Sequence, residues 1–520
     1  PQWQEVEKVG TEILEESLRA IAAQISFPTP PQPDSLPVVV FNSLNWQRSE
    51  VVTVPLPSTT APNQAWQIYD HSGNQLVSQL GEASTLLFLA RDIPPVGYRV
   101  FWLCPSLSKN GHNKTQSDGT NLGLQKQEQF SPERLTLENE FLRVIIDEQT
   151  GNLASVFDKV NNREVLNQAG GNLLQAFQDS GQYWDAWNID PNYAQHPLPP
   201  ATLKSIQWLE QGLVQHRLRV VQQLGESEFC CDYILSATSP MLKIAMKVDW
   251  QQEHVLVKAA FPLNLEADFA TYEIPCGAIR RSSKPQIPAE KAKWEVPALR
   301  WADLTEEIGD MGDKGDMGEL FTNPQSKIQN PYGVSLLNDS KYGYDAQPNQ
   351  LRLTLLRSPN WPDPQADRGV HEFTYALYPH AGDWKSAHTV QRGYELNVPL
   401  QVMVCPVNYH KSSNFSFSIE EDGLGVSFLN LSAENLILMA FKQAEDDPQK
   451  WILRCYECHA ETAELSLQNN LGLSLEEFVD LLERPLSTFE FSSTAIEQKF
   501  NVQPWKIVNL KLRVSDSLTA

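Results

Sequence analysis

Beyond residue 33 the chain offers strand-length apolar runs and almost no helical period, and this constrains its fold more than any other feature. The one clear helical stretch comes first. Val6, Val9, Ile13, Leu14, Leu18, Ile21, Ala22 and Ile25 recur at spacings of three and four, which gathers them on one helical face. The block from Pro28 to Pro33, with four prolines, cannot continue a helix. A lone amphipathic helix needs a surface to pack on. It either docks on the β-rich remainder of the chain or belongs to a bundle whose other helices lie elsewhere.

From residue 37 onward the chain reads as β throughout. Pro37 to Val54 suggests two strands around Asn42–Asn45, and further runs lie at Trp66–Tyr69, Leu86–Leu89 and Tyr98–Leu103. Short strands at regular spacing predict a small sandwich over 36–104. Residues 105–128 are polar and rich in Gly and Ser, the texture of a linker. Strand-like runs then recur from 129 to about 410. No strand–helix–strand alternation interrupts them, so a doubly wound parallel sheet is excluded in favour of one very large antiparallel sandwich. Within it, Gly309, Gly312, Gly315 and Gly318 repeat every third residue. Four triplets without proline cannot hold a triple helix, and 304–330 reads as a flexible acidic insertion. Residues 411–520 form a last β unit, with strands at Phe415–Ile419 and Lys506–Val514 among others and a short helix at Ser474–Leu482.

A chain of 520 residues exceeds one ordinary core. Its net charge of −23 would be repelled by a phosphate backbone, which argues against nucleic acid as a partner. No run of eighteen apolar residues exists, so no membrane-spanning helix is expected, and no leader is evident. Seven cysteines, two of them adjacent at Cys230 and Cys231, suit reduced thiols in a cytoplasm better than a disulfide framework. Four sequons, at Asn113, Asn338, Asn414 and Asn430, are near chance for this length.

Two stretches carry the candidate site. In 351–380, Leu351, Leu353 and Leu355 alternate with Arg352, Thr354 and Leu356, the period of a strand. A second β-rich run spans Phe373–Tyr378. The loop between holds Pro359, Pro362 and Pro364, which keep it out of a sheet. It presents Trp361, Asp363, Asp367, Arg368, His371 and Glu372. An indole can cover a sugar ring face, and carboxylate or guanidinium can hydrogen-bond vicinal hydroxyls. The plain alternative is a solvated hairpin loop. The second stretch, Asp179–Asp190 (DSGQYWDAWNID), packs three carboxylates and three aromatics into twelve residues. Exposed aromatics so dense call for a ligand or another domain, unless Trp184 and Trp187 are core and Asp185 caps a turn. Glycoside hydrolysis needs two carboxyls at a set separation, and the sequence places no such pair. Cys455-Tyr-Glu-Cys458-His459 matches a haem-attachment pattern but lies in an apparent strand, and nothing else suggests a cytochrome.

Longer stretches point to a family. VVVFNSLNWQRS, LENEFLRVIIDEQTGNLASVFDK, DSGQYWDAWNID, WEVPALRWADL, YGVSLLNDSKYGYD and ADRGVHEFTYALYPH run through almost the whole chain. Together they resemble the C-terminal half of glycoside hydrolase family 38, the α-mannosidases, in its bacterial and cytosolic branch. The resemblance implies a mutarotase-like supersandwich flanked by smaller β-sandwiches, with residues 1–27 as the last helix of a bundle. It implies a retaining, zinc-dependent enzyme acting on mannose-containing oligosaccharides. The nucleophile, acid and zinc ligands would come from an upstream barrel, so no catalytic or metal-binding residue is expected in these 520. Arg368 is similar to an arginine lining the sugar pocket. Trp184, Asp185 and Trp187 occupy the loop that would supply an aromatic contact, and Asp367 and His371 flank Arg368. Two other readings stay open. One is a stand-alone carbohydrate-binding protein. The other is a mutarotase-like epimerase with His371 and Glu372 as acid and base. The sequence sets no oligomeric state and is compatible with a homo-oligomer.

Overall fold

The computed structural model describes residues 2–57, 64–107, 135–181, 184–306, 331–406, 425–486 and 499–514. Most of the expected linker and insertion, the expected strand Phe415–Ile419, Tyr183 and the sequons at Asn113 and Asn414 lie outside them.

Helix α1 spans Gln2–Ala22 and stops short of the proline block. Its two ends differ in environment. Leu18, Ile21, Ala22 and the adjoining Ile25 pack against Val39, Phe41, Tyr98 and Val100. Val6, Val9, Ile13 and Leu14 are exposed, and Trp3 is 85% exposed. The strand Leu36–Asn42 is thus covered on both sides. Val38 and Val40 enter the core of the first sandwich, while Val39 and Phe41 meet the helix. Burial on both faces explains why this strand reads as an unbroken apolar run.

One sheet of that sandwich joins Leu36–Asn42, Gly97–Leu107 and Gln64–Tyr69. Two late segments complete it. Gln401–Val404 pairs antiparallel with Leu36–Asn42, and Val426–Ser427 pairs with Gly97–Leu107. The facing sheet holds Arg48–Pro55, Thr85–Ile93 and Ser78–Gly81.

The middle of the chain forms a nine-stranded antiparallel sheet. Its order is Thr202–Gln211, Gln215–Leu224, Ser227–Ser236, Leu242–Trp250, Gly369–Ala381, Tyr332–Asn338, Trp301–Thr305, Phe269–Ile274 and Gly277–Ser282. Strand Gln215–Leu224 alternates buried and half-buried residues along its whole length, as a sheet with one face in the core requires. Facing it is a five-stranded sheet of Leu173–Gln178, Val255–Pro262, Gln350–Leu356, Gly343–Gln347 and Val296–Pro297. One continuous core, including Leu218, Trp250, Phe261, Leu353 and Tyr375, joins the two. The short α2 covers Pro288–Lys291, and on the outer side of the nine-stranded sheet α3 (Thr389–Asn397) packs its Val390 with Trp301 and Trp384. Residues 429–486 and 499–514 add a last pair of antiparallel sheets around Leu436, Leu453, Leu465 and Leu510. The protein is mainly β, built of antiparallel sandwiches with one N-terminal helix. Among the described residues no helix is long and apolar enough to cross a membrane.

Three expectations need correction. Ser474–Leu482 is not helical: Leu473–Val479 is a strand paired with Ile507–Val514. Leu356 does not share a face with Arg352 and Thr354. An irregularity opposite Val257 and Lys258 turns both Leu355 and Leu356 into the core. Nor is 357–368 a hairpin loop, because the strands it joins lie in different sheets.

Candidate functional site

The loop 357–368 crosses from the five-stranded sheet to the nine-stranded sheet, and the stretch Asp179–Asp190 follows Leu173–Gln178, two strands from Gln350–Leu356 in the five-stranded sheet. These two segments, far apart in the sequence, are stitched together. Asp185 is buried, and its carboxylate accepts from the backbone N–H of Asn360 at 2.6 Å and of Trp361 at 2.9 Å. Arg357 pairs with Asp179 and donates to the carbonyl of Asn188. Asp179 also accepts from the N–H of Asp190 at 2.8 Å, closing its own loop. The rings of Trp184 and Trp361 meet edge to face with centroids 4.1 Å apart. Trp184 sits at φ 56°, a strained position for a bulky residue. The N–H of Trp187 reaches back to the Trp184 carbonyl at 2.7 Å.

Underneath, Trp250 is fully buried and its indole N–H donates to Ser358 Oγ. The His254 backbone N–H donates to the Ser358 carbonyl at 3.0 Å, and its carbonyl accepts from the Asp179 N–H at 2.8 Å. The second half of the loop is fixed in the same way. Asp367, at φ 62°, accepts from the N–H of Ser358 at 3.0 Å. His371 Nε2 lies 2.6 Å from the Asp367 carbonyl, which can only accept, so Nε2 carries the proton.

The outcome is a rim whose two buried carboxylates, Asp179 and Asp185, face inward and whose indoles face outward. Asp185 gives both oxygens to backbone amides, while the exposed Asp367 accepts from one with Oδ2. Burial opposes charge on Asp185, but the two amides, with His254 and Arg357 nearby, hold it below the usual carboxylate range. Trp184, Trp361 and Trp187 are 58%, 50% and 81% exposed. Arg368 is exposed and pairs with Glu253. Glu372 pairs with Lys247 at 2.7 Å. His371 and Glu372 are consecutive residues of one strand, so they point to opposite faces and cannot flank one sugar carbon together. Of the braces, only Asp179 stood in a stretch marked from sequence, as one of its three carboxylates; Arg357 and His254 carry no local signal of the role.

Two family descriptions match the chain: "Glycosyl hydrolases family 38 C-terminal domain" over residues 137–365 and "Glycosyl hydrolases family 38 C-terminal beta sandwich domain" over 435–510. The chain belongs to glycosyl hydrolase family 38. It forms part of that family's C-terminal portion, and Trp184, Trp187 and Trp361 lie within the first matched region. Alpha-mannosidase 2C1 of Homo sapiens is 28% identical over 98% of this chain, which covers 42% of that protein. An alpha-mannosidase of Saccharomyces cerevisiae is 30% identical over 73% of this chain and 35% of its own length. The chain therefore spans less than half of the curated relatives it matches. The solved structure of an alpha-mannosidase from Enterococcus faecalis V583 shares the fold, with a TM-score of 0.70, 16% identity, and coverage of 98% of this chain and 59% of that one. Among the described residues of this family 38 chain, no group of three or more His, Cys, Asp or Glu is placed to hold a metal. All seven cysteines are unpaired, and Cys455 and Cys458 are buried in the last sandwich.

Proposed function

We propose that this chain is the supporting C-terminal part of a retaining α-mannosidase, and that its tryptophan rim completes a sugar pocket whose chemical groups lie on an upstream catalytic barrel. The observation that carries the reading is the joined rim of Trp184, Trp187, Trp361 and Arg368. Three exposed indoles on a braced backbone offer flat apolar faces to the C–H side of a pyranose, at little cost in ordering. Arg368 is released to a sugar hydroxyl if it exchanges its solvent-exposed pairing with Glu253 for substrate.

Retention needs two carboxyls about 5–5.5 Å apart, one as nucleophile and one as acid. Asp185 does not fit those roles, since both of its oxygens accept from backbone amides. Zinc, implied for the full-length enzyme, likewise finds no fitting cluster among the described residues, and no step is assigned to it. The role of this chain is to bind, orient and exclude water. The exposed apolar stripe of α1 supports an upstream neighbour, because Trp3, Val6, Val9 and Ile13 have no cover among the described residues. Unpaired cysteines support a cytoplasmic setting. The test compares this chain with the longer protein on an aryl α-mannoside in the presence of zinc. Turnover is expected only when the upstream part is present; brisk turnover by this chain alone would overturn the assignment.

The exposed rim also favours a second reading, a carbohydrate-binding protein without catalysis. Saturable mannose binding by this chain, with no hydrolysis by any longer product of its gene, would decide for it.

A further inference from the structure

The strand Gly369–Ala381 outruns its neighbour on one side. Leu242–Trp250 pairs with residues 369–377, whereas Tyr332–Asn338 pairs only with residues 375–381. In an antiparallel sheet the residues of one strand turn their N–H and C=O groups to the two neighbours alternately. Two bonds fix the alternation here. The N–H of Asp339 donates to the Thr374 carbonyl at 3.0 Å, and that of Gly382 to the Pro331 carbonyl at 2.8 Å. Even-numbered residues of the long strand therefore face Tyr332–Asn338, and odd-numbered residues face Leu242–Trp250. The Asp339 carboxylate closes the last rung by accepting from the N–H of Thr374 at 2.8 Å. After it the chain leaves for Gly343–Gln347 in the other sheet. Glu372 and Val370 are left with no strand beside them.

Two N–H and two C=O groups, repeating about 7 Å apart at roughly 3.4 Å per residue, thus line a notch in the nine-stranded sheet. No strand, turn or side chain among the described residues supplies their partners. The notch is open: Val370 is 62% exposed, and Ser340, Tyr342 and Glu372 are exposed. Sheet edges are ordinarily guarded by proline, by a bulge or by a charge turned into the edge. None of these guards stands at 369–373. The Glu372 side chain lies on the outer face, opposite in direction to buried Phe373, and its charge is held by Lys247. On the core side, the Lys341 ammonium lies 4.3 Å from the centre of the Phe373 ring and makes no salt bridge among the described residues. Burial pulls its pKa below the usual lysine value, opposed by Asp367 and Asp339 nearby. Asp367 already accepts from Ser358, and Asp339 from Thr374 and Ser340, so Lys341 keeps donors to give.

The spacing restricts what fits. An extended polypeptide repeats an N–H and a C=O every second residue, the interval of the bare groups, and strand addition at a sheet edge is a recurrent mode of recognition. We propose that the notch receives an extended segment from the upstream part of the protein, which adds as a short strand beside residues 369–373 and gives a side-chain oxygen to Lys341. Cross-strand neighbours share a face, so the guest residue opposite Phe373 or His371 is the one that meets Lys341. Its place indicates the source of the guest. The notch follows Arg368 on the same strand, beside the rim proposed to meet the upstream barrel, and the chain covers 42% of the human relative. This docking presupposes the upstream part proposed above and is independent of sugar binding and hydrolysis.

The test is amide hydrogen exchange at single-residue resolution, in this chain and in the longer protein. In this chain the amides of Val370 and Glu372 are expected to exchange roughly a hundredfold faster than those of His371 and Phe373, which face Leu242–Trp250. In the longer protein all four are expected to be slow. There, Lys341→Met is expected to speed Val370 and Glu372 about tenfold while leaving the other two slow. Slow exchange of Val370 and Glu372 in this chain at low concentration would mean that their groups are already satisfied. Slowing that grows with its concentration would assign the notch to a second copy. Fast exchange in the longer protein would mean that water alone meets them. Each of these outcomes would overturn the proposal, as would an unchanged pattern in a folded Lys341→Met. Turnover by the longer protein without protection at 370 and 372 would defeat this docking alone; protection without turnover would defeat the mannosidase reading alone.

Discussion

At the scale of single residues, the site separates groups that build from groups that present. Asp185 builds. Its folded value lies below the ordinary carboxylate range, so its stabilising charge is fully present above the unfolded value of about 3.9 and is lost as pH falls through the folded one. Acidification below about pH 4 is expected to loosen the two loops, seen as a change in tryptophan emission. Asp185→Asn should remove that step, and an unchanged acid profile in the variant would show the carboxylate is not the brace. Trp187 and Arg368 present. In the full-length protein, Trp187→Ala and Arg368→Ala are each expected to lower kcat/KM roughly tenfold or more while leaving the unfolding midpoint of the chain unmoved. The residue types were legible in the sequence, since tryptophan, arginine and aspartate cluster in both loops. The division of labour was not. Whether a carboxylate meets a sugar or a backbone amide depends on a partner about 175 positions away, as with Asp185 and Asn360.

Elements were most legible where period and burial agree. The alternation in 351–355 and 215–224 gave strands because one face meets the core. Ser474–Leu482 read as helical because Leu475, Phe478, Val479 and Leu482 sit at spacings of three, four and seven. A bulge between Leu475 and Glu477 produces that spacing within a strand, by inserting one residue into the period of two. The same device places Leu356 beside Leu355 in the core. Helix α1 was legible as amphipathic, but only its last turns are covered by the described residues. Ile25→Ala is expected to cost about 2–4 kcal/mol in denaturant unfolding of this chain, and Val9→Ala close to nothing. A Val9→Ala cost emerging only in the full-length protein would mark the upstream contact. On the outer face of the five-stranded sheet, buried Lys258 pairs with Glu295, and with Asp345 at 2.9 Å; Arg352 reaches Asp345 at 2.7 Å and the Tyr193 hydroxyl at 2.8 Å. Lys258→Met would leave acidic groups buried with one cation. A loss of about 3–5 kcal/mol is expected in the unfolding free energy, and a neutral result would mean water already reaches the cluster.

At the scale of the molecule, the class of fold was legible from what was missing, namely any alternation of strand and helix after residue 33. The pairing of distant segments was not, because register between remote strands leaves no local mark. The clearest case is Gln401–Val404, which closes the sheet begun by Leu36–Asn42. During synthesis on a ribosome, that first sheet waits for some 360 further residues before its border is sealed. Until then Leu36–Asn42 shows a bare rank of amide and carbonyl groups, the kind of edge that recruits foreign strands. Nascent chains halted before residue 400 are expected to be cut by protease in the early strands and to engage chaperones, while chains halted well past 404 should resist; equal resistance at both lengths would mean the opening sandwich folds without its latecomer.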